Sequence, residues 1–453
     1  MIDRRSFNMG LASLAFAGLP ACTTTPRADA GGTAFGYGPL LRDPAGLLDL
    51  PQGFSYRVIS EHGQAMDDGF VVPSNADGMG AFALDRNRTI LVRNHELRPN
   101  RADRGPFVAG GPGASPVFDR FGSGMPSPGG TTTLVYDQRS GRVESQYLSL
   151  VGTHTNCAGG TTPWGSWLSC EEKAVQAGTD GLGKDHGWVF EVPSRGRGLT
   201  DPVPLKAMGR FQHEAAAVDP RTGIVYLTED QHESLFYRFL PSERGRLVRG
   251  GRLQALALTD GASDTRNWTS SDFPAGSVRR TRWIDLDNVE APEDDLRMRG
   301  HAAGAALFAR GEGICFGDGD FYFTCTNGGA AKLGQVMRYR PSRFEGQSGE
   351  RSEPGRLSNF VESTSREILN FGDNLILAPV GHLIVCEDLY TEDPKNRLRG
   401  ITPDGRVYSI ALLHHRTELA GVCFSGNGQV MFVNVYHPGK TLAITGPWQS
   451  FRA

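Results

Sequence analysis

Six segments of the chain repeat one plan: an apolar run, a turn, then a second apolar run that ends in polar residues. They span 78–96 (GMGAFALDRNRTILVRNHE), 156–172 (NCAGGTTPWGSWLSCEE), 213–230 (HEAAAVDPRTGIVYLTED), 310–327 (RGEGICFGDGDFYFTCTN), 373–388 (DNLILAPVGHLIVCED) and 418–437 (ELAGVCFSGNGQVMFVNVYH). Turn sequences such as Asp-Pro-Arg-Thr-Gly and Ser-Gly-Asn-Gly supply the bends that antiparallel hairpins require. Further strand pairs lie between them, among them TTLVYDQRSGRVESQYLSL, QVMRYRPS and LRGITPDGRVYSIAL. An inner hairpin followed by an outer pair, six times over, predicts an all-β chain folded as a six-bladed β-propeller. The uneven spacing places long insertions at 99–129, around 255–300 and at 341–356.

The remaining composition agrees: 59 Gly and 27 Pro in 453 residues leave little room for long helices. A net charge of −3, with no basic run interleaved with aromatics, argues against nucleic acid as a partner. The start, RRSFNMGLASLAFAGLPAC, sets Arg4 and Arg5 before a short apolar run. That is the pattern of a twin-arginine export leader, too short to span a bilayer. The expected organisation is a leader over 1–22, a flexible segment over 23–50 and one catalytic propeller over 51–453. Cys22 is a candidate lipid acceptor, which would be the chain's sole tie to a membrane. A periplasmic or extracellular monomer, folded before it meets the twin-arginine machinery, is the expected product. Of the other cysteines, Cys315, Cys325, Cys386 and Cys423 sit in apolar strand patterns and read as buried hydrophobes. Cys157 differs, because it stands at a polar hairpin mouth.

Folding each hairpin about its turn pairs residues whose numbers have a constant sum. Cys157 then lies opposite Cys170 or Glu171, and His213 and Glu214 face Glu229 and Asp230. Glu312 falls near Cys325, while Asp373 and Asn374 face Asp388 and Glu387. In a propeller the open ends of the hairpins meet around the central channel. Glu96, Glu171, Glu172, Glu214, Asp230, Glu312, Asp373, Glu387, Asp388 and Glu418 are therefore expected to crowd together. So many carboxylates cannot ionise in one place unless cations neutralise them. Abundant oxygen donors with few histidines suit Ca²⁺, and the Cys157 sulfur adds a site for a transition metal. A single strand-end acid is more often a cap or a surface pair, but the polarity recurs at the end of every hairpin. His95 and His213 are read as hydrogen-bonding residues, and Trp164 and Trp167 as packing residues.

The RNHE, NCAGG…W…CEE, QHEAAAVDP…GIVYLTED, RGEG, DNL…CED and ELAGVCFS…NVYHPG motifs resemble those of the PhoX alkaline phosphatase family, over most of the chain after residue 50. The resemblance implies hydrolysis of phosphate esters, monoesters by preference, at a cluster of Fe(III) and Ca²⁺ with a metal-bridged oxygen as nucleophile. Carried onto these positions, Cys157 would ligate iron and Glu214 would be a shared carboxylate ligand. Glu96, Glu171, Glu172, Asp230 and Glu312 would complete the set, joined by Asp373, Glu387 and Asp388 of the fifth hairpin. Arg310 would hold the substrate phosphate and Asn94 would assist it. Two other classes fit the pattern of acids less fully: a lactonase-like propeller hydrolase with one Ca²⁺, and a non-catalytic binding propeller.

Overall fold

The computed structural model describes residues 35–107, 110, 111, 113, 115–390 and 395–452. The leader, Cys22 and the first part of the expected flexible segment lie outside these residues.

All six expected inner hairpins form. Their strands are Ala76–Ala83 with Arg88–His95, Asn156–Thr161 with Ser166–Glu171, and His213–Val218 with Val225–Glu229. The others are Gly311–Gly317 with Asp320–Cys325, Gly372–Leu377 with Leu383–Glu387, and Leu419–Phe424 with Val430–Val435. The leading strand of each hairpin packs against the leading strands of the hairpins before and after it, and the sixth meets the first. Outer strands extend each hairpin away from this ring, giving an all-β, propeller-like arrangement. In the last unit the outermost strand is Ser55–Glu61, which pairs with Lys440–Thr445 and so links the two ends of the chain.

Two features depart from the sequence reading. Among the described residues the hydrogen-bonded sheets number five, of three, four, four, six and nine strands. The nine-stranded sheet arises because Val278–Asp285, within the expected insertion, pairs with Gly251–Leu258 on one side and Arg356–Glu362 on the other. A strand laid between two neighbouring units satisfies its own backbone groups and covers two sheet edges at once. The other departure concerns residues 35–50, expected to be flexible. Leu48–Pro51 pairs with Val407–Leu413, Leu40–Leu41 adds at its edge, and Leu47, Leu48 and Leu50 are buried. Asp43 fixes the approach by accepting the N–H groups of Ala45, Leu47 and Leu48 and the hydroxyl of Tyr56.

Apolar side chains fill the space between adjacent sheets, as where Leu168 and Val189 meet Phe211, Tyr237 and Leu253. The six described cysteines are all unpaired, and Cys315, Cys325, Cys386 and Cys423 are buried as expected.

Candidate metal centre

Each leading strand carries a β-bulge at the same step. Three residues advance against two on the partner between Ala76 and Met79, Asn156 and Gly159, and His213 and Ala216. The same shift recurs between Gly311 and Ile314, Gly372 and Leu375, and Ala420 and Cys423. The residues that enter these bulges are Asp77, Cys157, Glu214, Glu312, Asp373 and Gly421. A bulge bends its strand and re-aims a side chain. Here five potential ligands turn toward one point. Single carboxylate oxygens of Glu214, Glu312 and Asp373 lie within 4.8 Å of one another. Cys157 Sγ is 3.2 Å from Glu214 Oε1 and 3.5 Å from Asp77 Oδ2. At the sixth position a Cβ on Gly421 would stand 2.3 Å from the Asp77 carbonyl oxygen, so only glycine fits.

A second tier comes from the residue that follows the return strand: Glu96, Glu172, Asp230 and Asp388. Lys173 Nζ donates to Glu172 Oε1 at 2.7 Å. Arg310 sends Nε and Nη2 to Asp230 at 2.7 and 3.0 Å, and Nη2 also reaches Glu312 Oε1 at 3.0 Å. Tyr436 donates its hydroxyl to Glu96, and Tyr390 donates to Glu418 at 2.8 Å.

Burial, followed by mutual repulsion, pushes the carboxyls of Asp77, Glu214, Glu312 and Asp373 well above their ordinary range. Glu172 rises to about 8 for the same reasons, Glu96 being its strongest charged neighbour. Burial and the surrounding acids likewise raise the Cys157 thiol. Among the described residues, Asp77 Oδ1, Glu214 Oε2 and Asp388 Oδ1 are buried without a hydrogen-bond partner. Buried polar atoms nearly always find partners. Orphaned carboxylate oxygens gathered around one centre form a donor set suited to cations.

Three expected site residues lie elsewhere. Glu171 is neighbour to Glu172, but the strand pleat sends alternate side chains to opposite faces. Its oxygens accept His186 Nδ1 at 2.7 Å and the N–H groups of His154, Gly187 and Trp188. Burial alone would raise the Glu171 carboxyl; the His186 charge and these donors hold it below its ordinary value. Glu387 is placed like Glu171, accepting Arg399 Nε at 2.8 Å and the N–H groups of Asn370 and Arg397. Asn94 is also fully occupied. Its Nδ2 donates to the carbonyls of Cys157 and Ala158 at 3.1 and 2.7 Å, and its Oδ1 accepts Trp167 Nε1 and Ser169 Oγ. Asn94 therefore grips the bulge of the next hairpin instead of facing the centre. Thr228 and Thr324 do the same, donating to the carbonyls of Glu312 and Asp373 at 2.5 and 2.6 Å. His95 and His213 bond Ser74, Thr132 and Gly209, consistent with structural roles.

Sequence reasoning missed Asp77 and Lys173. Asp77 precedes the window taken for the first hairpin, yet Asp77-Gly78 echoes Glu312-Gly313 at the equivalent step. Lys173 follows the acid pair and carried no repeat signal.

A ring of carboxylates and one thiol, aimed inward by repeated bulges, defines a polyanionic centre of the kind that binds multivalent cations. Residues 35–439 match the family described as alkaline phosphatase PhoX, so the chain belongs to that family and is a phosphoric ester hydrolase. Among solved structures it is similar to Pseudomonas fluorescens PhoX in complex with vanadate, a transition state analogue. That match has 18% identity and a TM-score of 0.66, and covers 91% of this chain and 98% of that one. A gluconolactonase from Xanthomonas campestris matches at 11% identity and a TM-score of 0.43, covering 90% of this chain and 98% of that one. No curated protein matches the chain.

Proposed function

We propose that the chain is a six-bladed propeller phosphatase that hydrolyses phosphate monoesters at a mixed Fe(III) and Ca²⁺ centre. The observation that carries this reading is the recurrence of a ligand-type side chain at five of six equivalent bulges: Asp77, Cys157, Glu214, Glu312 and Asp373. One ion would leave most of these buried acids unneutralised, which favours several ions over a single Ca²⁺. Cys157 with Glu214 would hold the iron, because a thiolate prefers the softer cation. Asp77, Glu312 and Asp373, with Glu96, Glu172, Asp230 and Asp388 around them, would supply oxygen ligands to iron and calcium. When bound, the ions would neutralise phosphoryl oxygens and make water nucleophilic near neutral pH.

Arg310 would bind the substrate phosphoryl group. Its guanidinium offers a planar, permanently charged fork that matches phosphate oxygens. The two bonds that Arg310 donates to Asp230 orient the guanidinium and leave Nη1 for the phosphate, on a backbone held in the left-handed region at φ 51°. Such a conformation is costly for a side chain with a Cβ, and the surrounding contacts sustain it.

The export leader at Arg4 and Arg5, lipid attachment at Cys22 and a periplasmic or extracellular location belong to the same reading. Protein taken from its own host tests the proposal by elemental analysis together with turnover of p-nitrophenyl phosphate. Iron, calcium and turnover together support it; a phosphatase carrying calcium alone would overturn the iron assignment.

A further inference from the structure

A cavity of about 790 Å³ opens beside the acidic ring, lined among others by Arg98, Asn100, Phe121, His154, Lys173 and Asp180. It is built from the segments that leave the first two hairpins, just past Glu96 and Glu172. Two cations stand between ring and cavity. Lys173 Nζ is 2.7 Å from Glu172 Oε1, and Arg98 Nη2 is 4.0 Å from Glu96 Oε1. Phe121 contributes an apolar surface and Asp180 a single acid.

The volume falls in the range of small-molecule sites, roughly 300–1,000 Å³, far more than one phosphoryl group needs. The cavity therefore suits the alcohol portion of an ester whose phosphoryl group is held at the ring. Its charge is the informative part. If Glu96 and Glu172 commit their oxygens to cations at the ring, Arg98 and Lys173 are left facing the cavity. Lys173 Nζ keeps a bond to Gln212 Oε1 at 3.0 Å, so a second negative group on the alcohol would meet one free guanidinium and one ammonium held by a neutral amide.

We infer that this cavity is a leaving-group subsite selecting phosphate esters whose alcohol carries a second anionic group, with Arg98 and Lys173 as the selecting residues. The inference rests on the proposed hydrolase chemistry at the ring. Its reaction is ordinary hydrolysis: water adds to phosphorus, the P–O bond to the alcohol breaks, and the alkoxide takes a proton.

A matched pair of substrates tests it. Glycerol 2-phosphate and 2-phosphoglycerate differ by one hydroxymethyl group replaced with a carboxylate. The expected result is a kcat/KM about tenfold higher for the carboxylate ester, as one charge-assisted contact to arginine supplies. In Arg98→Gln the ratio of the two values is expected to fall severalfold, with Lys173 retaining the remainder. Because the ratio is taken within one preparation, any loss of folded protein cancels, and the Arg98 side chain is 58% exposed. A wild-type ratio near one, or a ratio unchanged in Arg98→Gln, overturns the subsite while leaving the hydrolase reading standing. No turnover of either ester overturns the proposed chemistry at the ring and the subsite with it.

Discussion

Cys157 Sγ stands 3.2 Å from Glu214 Oε1, although the two residues begin different hairpins 57 positions apart. Burial and the neighbouring acids favour the protonated thiol, so a thiolate at neutral pH needs a bound cation. Cys157→Ser is expected to remove iron, read by elemental analysis, together with sulfur-to-iron charge-transfer absorption, while calcium is retained. Iron content equal to that of the unsubstituted protein would remove Cys157 from the ligand set.

Adjacent residues 171 and 172 give opposite expectations. Glu171→Gln breaks a buried pair with His186, whose imidazole is pushed up to about 9 by Glu171 and Asp119 despite burial. Removing one partner of such a pair costs about 3–5 kcal/mol, to be read by chemical denaturation. The metal content per folded molecule should be unchanged. Glu172→Gln removes a repelling acid from the ring, so the chelated protein should lose no stability and the loaded protein should lose bound metal. The same result from both variants would contradict the two-faced arrangement.

That contrast marks what was legible in the sequence. The hairpins could be seen because turn chemistry and apolar runs are local signals, and folding them on paper brought His213 and Glu214 to the same open end as Glu229 and Asp230, where His213 pairs with Glu229. Simple folding missed the extra residue in each leading strand, which is why Asn156, not Cys157, opposes Glu171. A bulge depends on pairing with another strand and leaves no mark in composition. Without it, Glu171 and Glu387 could not be separated from Glu172 and Asp388, and Asn94 looked free to meet substrate. The fused nine-stranded sheet escaped for a related reason: Val278–Asp285 finds its second partner 70 or more residues away, at Arg356–Glu362.

Removal of the cations exposes a pH dependence with a definite sign. In the cation-free protein Asp77, Glu214, Glu312 and Asp373 hold protons more tightly folded than unfolded, and Glu172 does so up to about 8 against an ordinary 4.5. Their contribution is complete below the unfolded pKa and is lost as pH climbs toward the folded values. The melting temperature of chelated protein should fall steadily from about pH 5 to about pH 9, because the unfolded chain binds fewer protons. Protein loaded with its cations should show little of that slope, since the ions neutralise the same groups. A chelated protein that gains stability over this interval would contradict the crowding of these acids.

Arg310 is tied to the ring by side-chain bonds to Asp230 and Glu312, yet none of its own atoms is a metal ligand. Arg310→Ala should lower kcat/KM toward p-nitrophenyl phosphate by at least about a hundredfold, the scale of losing a positioned donor to the transition state. Bound metal, measured on the same sample, should change little. Full turnover in the variant would take the phosphate-binding role away from this residue.

Thr324 holds the Asp373 carbonyl across the boundary between the fourth and fifth hairpins, as Thr228 holds that of Glu312. The bond fixes the backbone from which a ring carboxylate projects, so its loss should loosen ligand geometry before it unfolds the sheet. Thr324→Val keeps the shape and deletes the donor, at a stability cost of about 1–3 kcal/mol. The expected signature is weaker calcium binding in titration of chelated protein, with Thr324→Ser restoring it because the hydroxyl returns. Valine and serine variants that bind calcium alike would show that the inter-hairpin bond supports the sheet and not the ring.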